Sequence, residues 1–135
     1  MQDDPDSKKA IASSVHLSSD TDWFRVHVAD TGLGGDPIVK VAVSSGLTVS
    51  TWFVCDGRHT SESKCINGSS EYSRVGYVEG CRGERVEDGP TDDNVATTTT
   101  DCTGTSADNG NLYIRVERSA STKATCSYNL SIAIE

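Results

Sequence analysis

Much of what a familiar functional class would require is missing from this chain. No apolar run approaches the roughly 20 residues that a bilayer-spanning helix needs, and the 12 Lys and Arg residues are scattered rather than gathered into a stripe. With a formal net charge of −8, the chain is repelled by phosphate backbones and anionic membrane surfaces, so the sequence predicts neither nucleic acid as a partner nor membrane insertion. Histidine is scarce, with only His16, His27 and His59. No Gly-x-Ser-x-Gly, His-Glu-x-x-His or phosphate-binding glycine loop accompanies them. A catalytic centre needs an activated nucleophile or an acid–base pair, and the sequence predicts none. There is also no Cys-x-x-Cys pair, no EF-hand spacing and no internal repeat of fixed period. The start, Met1-Gln2-Asp3-Asp4-Pro5, has neither the basic nor the apolar stretch of a secretory leader.

What remains is a chain of 135 residues, the size of one domain with one core. Ser, Thr, Gly and Asp separate short groups of Val, Ile, Leu and Phe, which suits strands joined by polar turns. Residues 1–10 carry Asp3, Asp4, Asp6, Lys8 and Lys9 around Pro5 and read as linker, leaving 11–135 as the domain. Alternation then begins, with Phe24, Val26 and Val28 on one face and Arg25 and His27 on the other. A turn-rich stretch from Thr31 to Pro37 precedes Val39, Val41 and Val43, and Ser45-Gly46 precedes a third run from Leu47 to Cys55. These three runs predict an antiparallel meander. In the middle only Tyr72 to Val78 has strand character. The tail resumes with Leu112, Ile114 and Val116, then Tyr128, Leu130, Ile132 and Ile134, as a closing hairpin. Roughly six to eight such half-apolar strands bury themselves as two packed sheets. The predicted fold is therefore an all-β, antiparallel, jelly-roll-like two-sheet sandwich.

Five cysteines, Cys55, Cys65, Cys81, Cys102 and Cys126, stand among polar residues without zinc-ligand spacing. Disulfides fit them better, which places the chain in an oxidising, extracellular or periplasmic compartment. Sequence neighbours favour Cys55 with Cys65 and Cys81 with Cys102, one preference among the pairings five thiols allow. Cys126 is then a buried free thiol or a bridge to another segment or chain. Given the leaderless start, a piece of a longer exported precursor is expected.

Three stretches have a shared character: Asp20-Thr21-Asp22-Trp23-Phe24-Arg25-Val26, Gly110-Asn111-Leu112-Tyr113-Ile114-Arg115-Val116, and Tyr128-Asn129-Leu130-Ser131-Ile132. In order and chemistry they resemble the strands of the bacterial pre-peptidase C-terminal domain family, bracketing residues 20–134. The resemblance implies a secreted, non-catalytic sandwich that accompanies exported peptidases and other hydrolases. Related collagen-binding domains hold calcium with acidic residues near the domain start.

Two kinds of site follow. Calcium takes six to eight oxygen ligands, usually including several carboxylates, and Asp20, Asp22, Asp92 and Asp93 are the first choices; the plainer reading is solvated turn carboxylates. A binding sheet face would use outward aromatics with polar neighbours. By strand parity these are Trp23 with Arg25, Tyr72 with Arg74, and Tyr113 with Arg115, whereas Trp52 depends on the face Phe53 takes. The plainer reading is cross-strand partners that shield the sheet. Asn67-Gly68-Ser69 and Asn129-Leu130-Ser131 match the glycosylation sequon. The expected partner is an extracellular protein or polysaccharide, and the competing expectation is a structural or export-related module that binds nothing.

Overall fold

The computed structural model describes residues 8–15, 21–29, 38–44, 47–57, 59–85, 93–104, 108–118 and 126–134, with backbone alone for 8–15 and 126–127. These residues form strands and no helix: β1 (Lys8–Val15), β2 (Thr21–Val28), β3 (Ile38–Val43), β4 (Thr48–Cys55), β5 (Cys65–Asn67), β6 (Ser69–Val75), β7 (Val78–Arg82), β8 (Glu84–Arg85), β9 (Asn94–Thr99), β10 (Gly110–Glu117) and β11 (Cys126–Ile134). β1 begins inside the stretch read as linker and pairs along its length with β11.

The strands make two antiparallel sheets. The first runs β1-β11-β3-β9-β5, with β8 also on β9, and the second runs β2-β10-β4-β7-β6. The alternation legible in the sequence is the reason for the two layers. Val39, Val41 and Val43 from β3 and Leu130, Ile132 and Ile134 from β11 meet Val49 and Phe53 from β4 and Leu112, Ile114 and Val116 from β10 in one buried cluster. A strand with one apolar side can hide it only against another such side, and the facing sheet supplies it.

Connectivity departs from the expected meander and closing hairpin. β2 and β4 belong to the second sheet while β3 between them belongs to the first. Likewise β10 and β11, expected to pair with each other, lie in opposite sheets. Runs with equal alternation are equally satisfied by a neighbour in the same sheet or by the facing one, so periodicity does not decide between them. The segment Tyr72 to Val78 is not one strand. It holds the Gly76-Tyr77 turn between β6 and β7, both residues having positive φ (57° and 64°), as a tight hairpin turn with a right-handed twist requires. The middle carries several further short strands, β5, β8 and β9, whose Ser- and Thr-rich composition hid them.

The cysteines are paired differently from the sequence-neighbour preference. Cys55 is bonded to Cys102, 47 residues away, with Cα atoms 5.9 Å apart, and Cys65 to Cys81 with Cα atoms 5.1 Å apart. The second bond ties β5 of one sheet to β7 of the other, and the first ties the end of β4 to the segment after β9. The bonds follow which side chains point between the layers, not which are close in sequence. The side chain of Cys126 lies outside the described residues. A further tie between layers is polar: the buried Tyr128 hydroxyl on β11 donates to Asp22 Oδ2 on β2 at 2.5 Å.

Candidate binding face

The second sheet turns an unusual outer surface to solvent. On β10 the core takes Leu112, Ile114 and Val116, so Asn111, Tyr113, Arg115 and Glu117 point outward. Arg115 is flanked in register by Trp23 on β2 and Ser50 on β4, and Tyr113 by Arg25 and Trp52. Phe53 takes the core side, so Trp52 faces out, yet it is only 1% exposed. Its ring lies over Gly80 on β7, where a Cβ would sit 2.6 Å from the indole; only glycine leaves room for the ring to lie flat there. The indole nitrogen donates to the Ser73 carbonyl at 2.6 Å, satisfying the one polar atom that burial would otherwise strand.

Trp23 covers Trp52 from the other side. The ring centroids are 5.4 Å apart with planes tilted by 31°, within the range where aromatic pairs attract. The Arg115 guanidinium carbon lies 5.0 Å from the Trp52 centroid and 5.8 Å from that of Trp23, within reach of both quadrupoles. Arg115 is held in place by carboxylates. Its Nη2 donates to Glu71 Oε2 at 2.6 Å and lies 2.9 Å from Glu117 Oε1. Glu71 also accepts from the Ser50 hydroxyl at 3.3 Å and the Ser73 backbone N–H at 3.1 Å, and Arg82 approaches it at 3.8 Å.

Burial is the largest single influence on Glu71 and pushes its pKa up, but the hydrogen bonds from Ser73 and Arg115 and the Arg115 charge together outweigh it. The net result holds the carboxyl below the usual glutamate value. The arrangement is a rigid platform: Trp52 is buried beneath, Arg115 is clamped by acids, and Trp23 stands 51% exposed on top. Arg25 is also exposed, and among the described residues it has no charged partner. Tyr113 is half-buried between Arg25 and Trp52.

Not every expected outward residue joins this cluster. Tyr72 is exposed, but it is its neighbour Glu71 that β6 delivers to Arg115. Arg74 pairs instead with Glu79 at 3.4 Å and donates to the Tyr77 carbonyl at 2.7 Å, bracing the hairpin tip. Glu71, Ser50 and Arg82 are absent from the sequence reading, which leaves the face of Trp52 open. A lone glutamate in a polar strand carries no signal.

Of the calcium candidates, Asp20 and Asp92 lie outside the described residues. Asp22 is engaged by Tyr128, and Asp93 borders a cleft of about 230 Å³ on the first sheet with Ser44, Asn129 and Ser131. Among the described residues no group of three or more His, Cys, Asp or Glu side chains converges. His16 is also outside them. His27 Nε2 lies 2.8 Å from Asp56 Oδ2, with both side chains about half exposed, and the His59 ring sits 2.7 Å from the Thr103 carbonyl. No helix among the described residues is long and apolar enough to cross a membrane. The sequon residues Asn67 and Asn129 are exposed.

No family model matches the chain, and no curated protein matches it.

Proposed function

We propose that this chain is a non-catalytic accessory domain of a secreted bacterial protein, anchoring its parent to an extracellular polymer through the outer face of the second sheet. The observation that carries this reading is the Trp23–Trp52–Arg115 stack, in which an exposed ring is backed by a buried ring and a clamped guanidinium. A ring already fixed in place loses little conformational entropy on binding. Two disulfides suit the oxidising compartment that an exported protein enters. The resemblance to pre-peptidase C-terminal domains supports the same reading, and its first two motif stretches coincide with β2 and β10, which pair directly.

Retention on insoluble collagen, chitin and cellulose tests the proposal. Binding to at least one polymer, reduced by Trp23→Ala and Tyr113→Ala in variants that keep the wild-type Tm, is the expected result. Failure to be retained on any of them favours a structural or export-related module without a substrate. Calcium, if it braces the acidic loops, shows as a lower Tm in EDTA, and an unchanged Tm removes it from the proposal.

A further inference from the structure

Resting on that reading, we infer that the polymer this face takes is an acidic polysaccharide, whose sugar rings stack on Trp23 and whose carboxylates are held by Arg25. Two observations carry the inference, one about shape and one about charge.

The face offers little for a protein to grip. Among the described residues Trp23 is its one large apolar group exposed to solvent, since Trp52 is sealed beneath it and Tyr113 is half-buried between Arg25 and Trp52. A stable protein interface buries on the order of 800 Å² per partner around an apolar core, and a single ring does not make one. A single flat ring does match the apolar C–H face of one sugar, with hydrogen-bonding side chains close by for the hydroxyls. Tyr113 from β10 and Arg25 from β2, one cross-strand pair along from Trp23 and Arg115, supply these.

The charge runs against that of the whole chain. The molecule carries −8, yet the outer positions of the second sheet hold Arg25, Arg82 and Arg115 against Glu71 and Glu117, with His27 and Asp56 paired to each other. Arg115 is answered by both glutamates, and Arg82 stands 3.8 Å from Glu71. Arg25 is the guanidinium left over, exposed, on the same face of the same strand as Trp23 and two residues from it. A guanidinium presents paired N–H groups that match a carboxylate in a bidentate fork. An anionic chain laid over Trp23 thus finds a positive group one sugar away, while the acidic remainder of the molecule keeps it from adhering elsewhere.

Affinity electrophoresis and titration calorimetry of the intact chain with alginate and polygalacturonate, against hydroxyethylcellulose, dextran and carboxyl-reduced alginate, test this. The acidic polymers are expected to bind at least ten-fold tighter than the neutral ones, with affinity falling as NaCl is raised from about 50 to 500 mM. Trp23→Ala is expected to lower binding at least ten-fold. Arg25→Gln is expected to lower it several-fold for acidic polymers only and to flatten the salt dependence. Tyr77→Ala, at a more exposed aromatic on the hairpin tip, is expected to leave binding unchanged, and near-wild-type Tm values for all three variants exclude misfolding. Equal binding to acidic and neutral polymers, or no effect of Arg25→Gln, overturns the acidic-polymer inference and leaves the anchoring face standing. Retention on collagen with no polysaccharide bound does the same. Failure to bind any polymer, or full binding by Trp23→Ala, overturns both.

Discussion

The two sheets present the same chemistry inward and opposite chemistry outward. Inside, Val, Ile, Leu and Phe from both layers interdigitate in one cluster. Outside, the first sheet shows mostly small or flexible groups, Lys40, Ala42, Asn129, Ser131 and Thr97, with Val95 covered and Ile66 exposed near its β5 edge. The second sheet's outer face carries Trp23, Trp52, Arg115 and Glu71, with two of the four essentially removed from solvent. An outer face with its own buried layer is costly to build, because the polar atoms covered in it lose their water. The outer side of the first sheet holds no comparable aromatic and charged layer among the described residues.

That contrast can be broken by mutation. Trp52→Ala should have the largest effect, a loss of about 3–5 kcal/mol in urea unfolding, as for a large aromatic removed from a core, although the residue faces outward. A loss under about 1 kcal/mol would mean that the outer layer is decorative. Opening the Cys65–Cys81 bond by the double change Cys65→Ala, Cys81→Ala should follow, at about 2–4 kcal/mol by loosening the unfolded chain and uncoupling the layers. Glu71→Gln should cost about 1–3 kcal/mol, because Arg115 then stays covered with only Glu117 to answer it.

The same glutamate fixes a pH dependence. Its folded pKa lies below its unfolded value, so its contribution is complete above the unfolded glutamate pKa and is lost as pH falls through the folded one. Melting curves taken across that acid range should show a steeper fall for wild type than for Glu71→Gln; parallel curves would remove Glu71 as the cause. Tyr77→Gly, which relieves a positive φ at a residue 93% exposed, should gain about 0.5–1 kcal/mol. Ser131→Ala on the first sheet should change stability by less than about 0.5 kcal/mol, the smallest effect and the other half of the comparison.

The layer structure was legible because it rests on alternation, and alternation is local. Val26, Val28, Val41, Leu112 and Ile132 lie inward as their parity required. Which strand sits beside which was not legible, since β3 presents the same face whether it neighbours β2 or opposes it. The disulfide partners were hidden for the same reason: Cys55 meets Cys102 only once β4 and β9 are assigned to opposite layers. On the outer face of the second sheet, Trp23, Arg25, Tyr113 and Arg115 followed from strand parity. Glu71 did not, because its meaning comes from Arg115, 44 residues away in sequence, and nothing in Ser-Ser-Glu-Tyr announces such a partner.

The pairing of β1 with β11 has a mechanical side. Lys8 lies opposite Ala133 and Val15 opposite Cys126, so the chain enters and leaves the domain at the same corner of the first sheet. Tension applied through those two points meets the backbone hydrogen bonds one at a time, from the Lys8 end inward, as in opening a zipper. The Cys55–Cys102 bond would then cap how far the chain can be drawn out, since the 47-residue stretch it closes cannot lengthen while the bond holds. Under load at that corner, the domain would yield first along β1 and release a limited slack, while β5 to β9, inside the stretch that the bond closes, stay shielded from the pull.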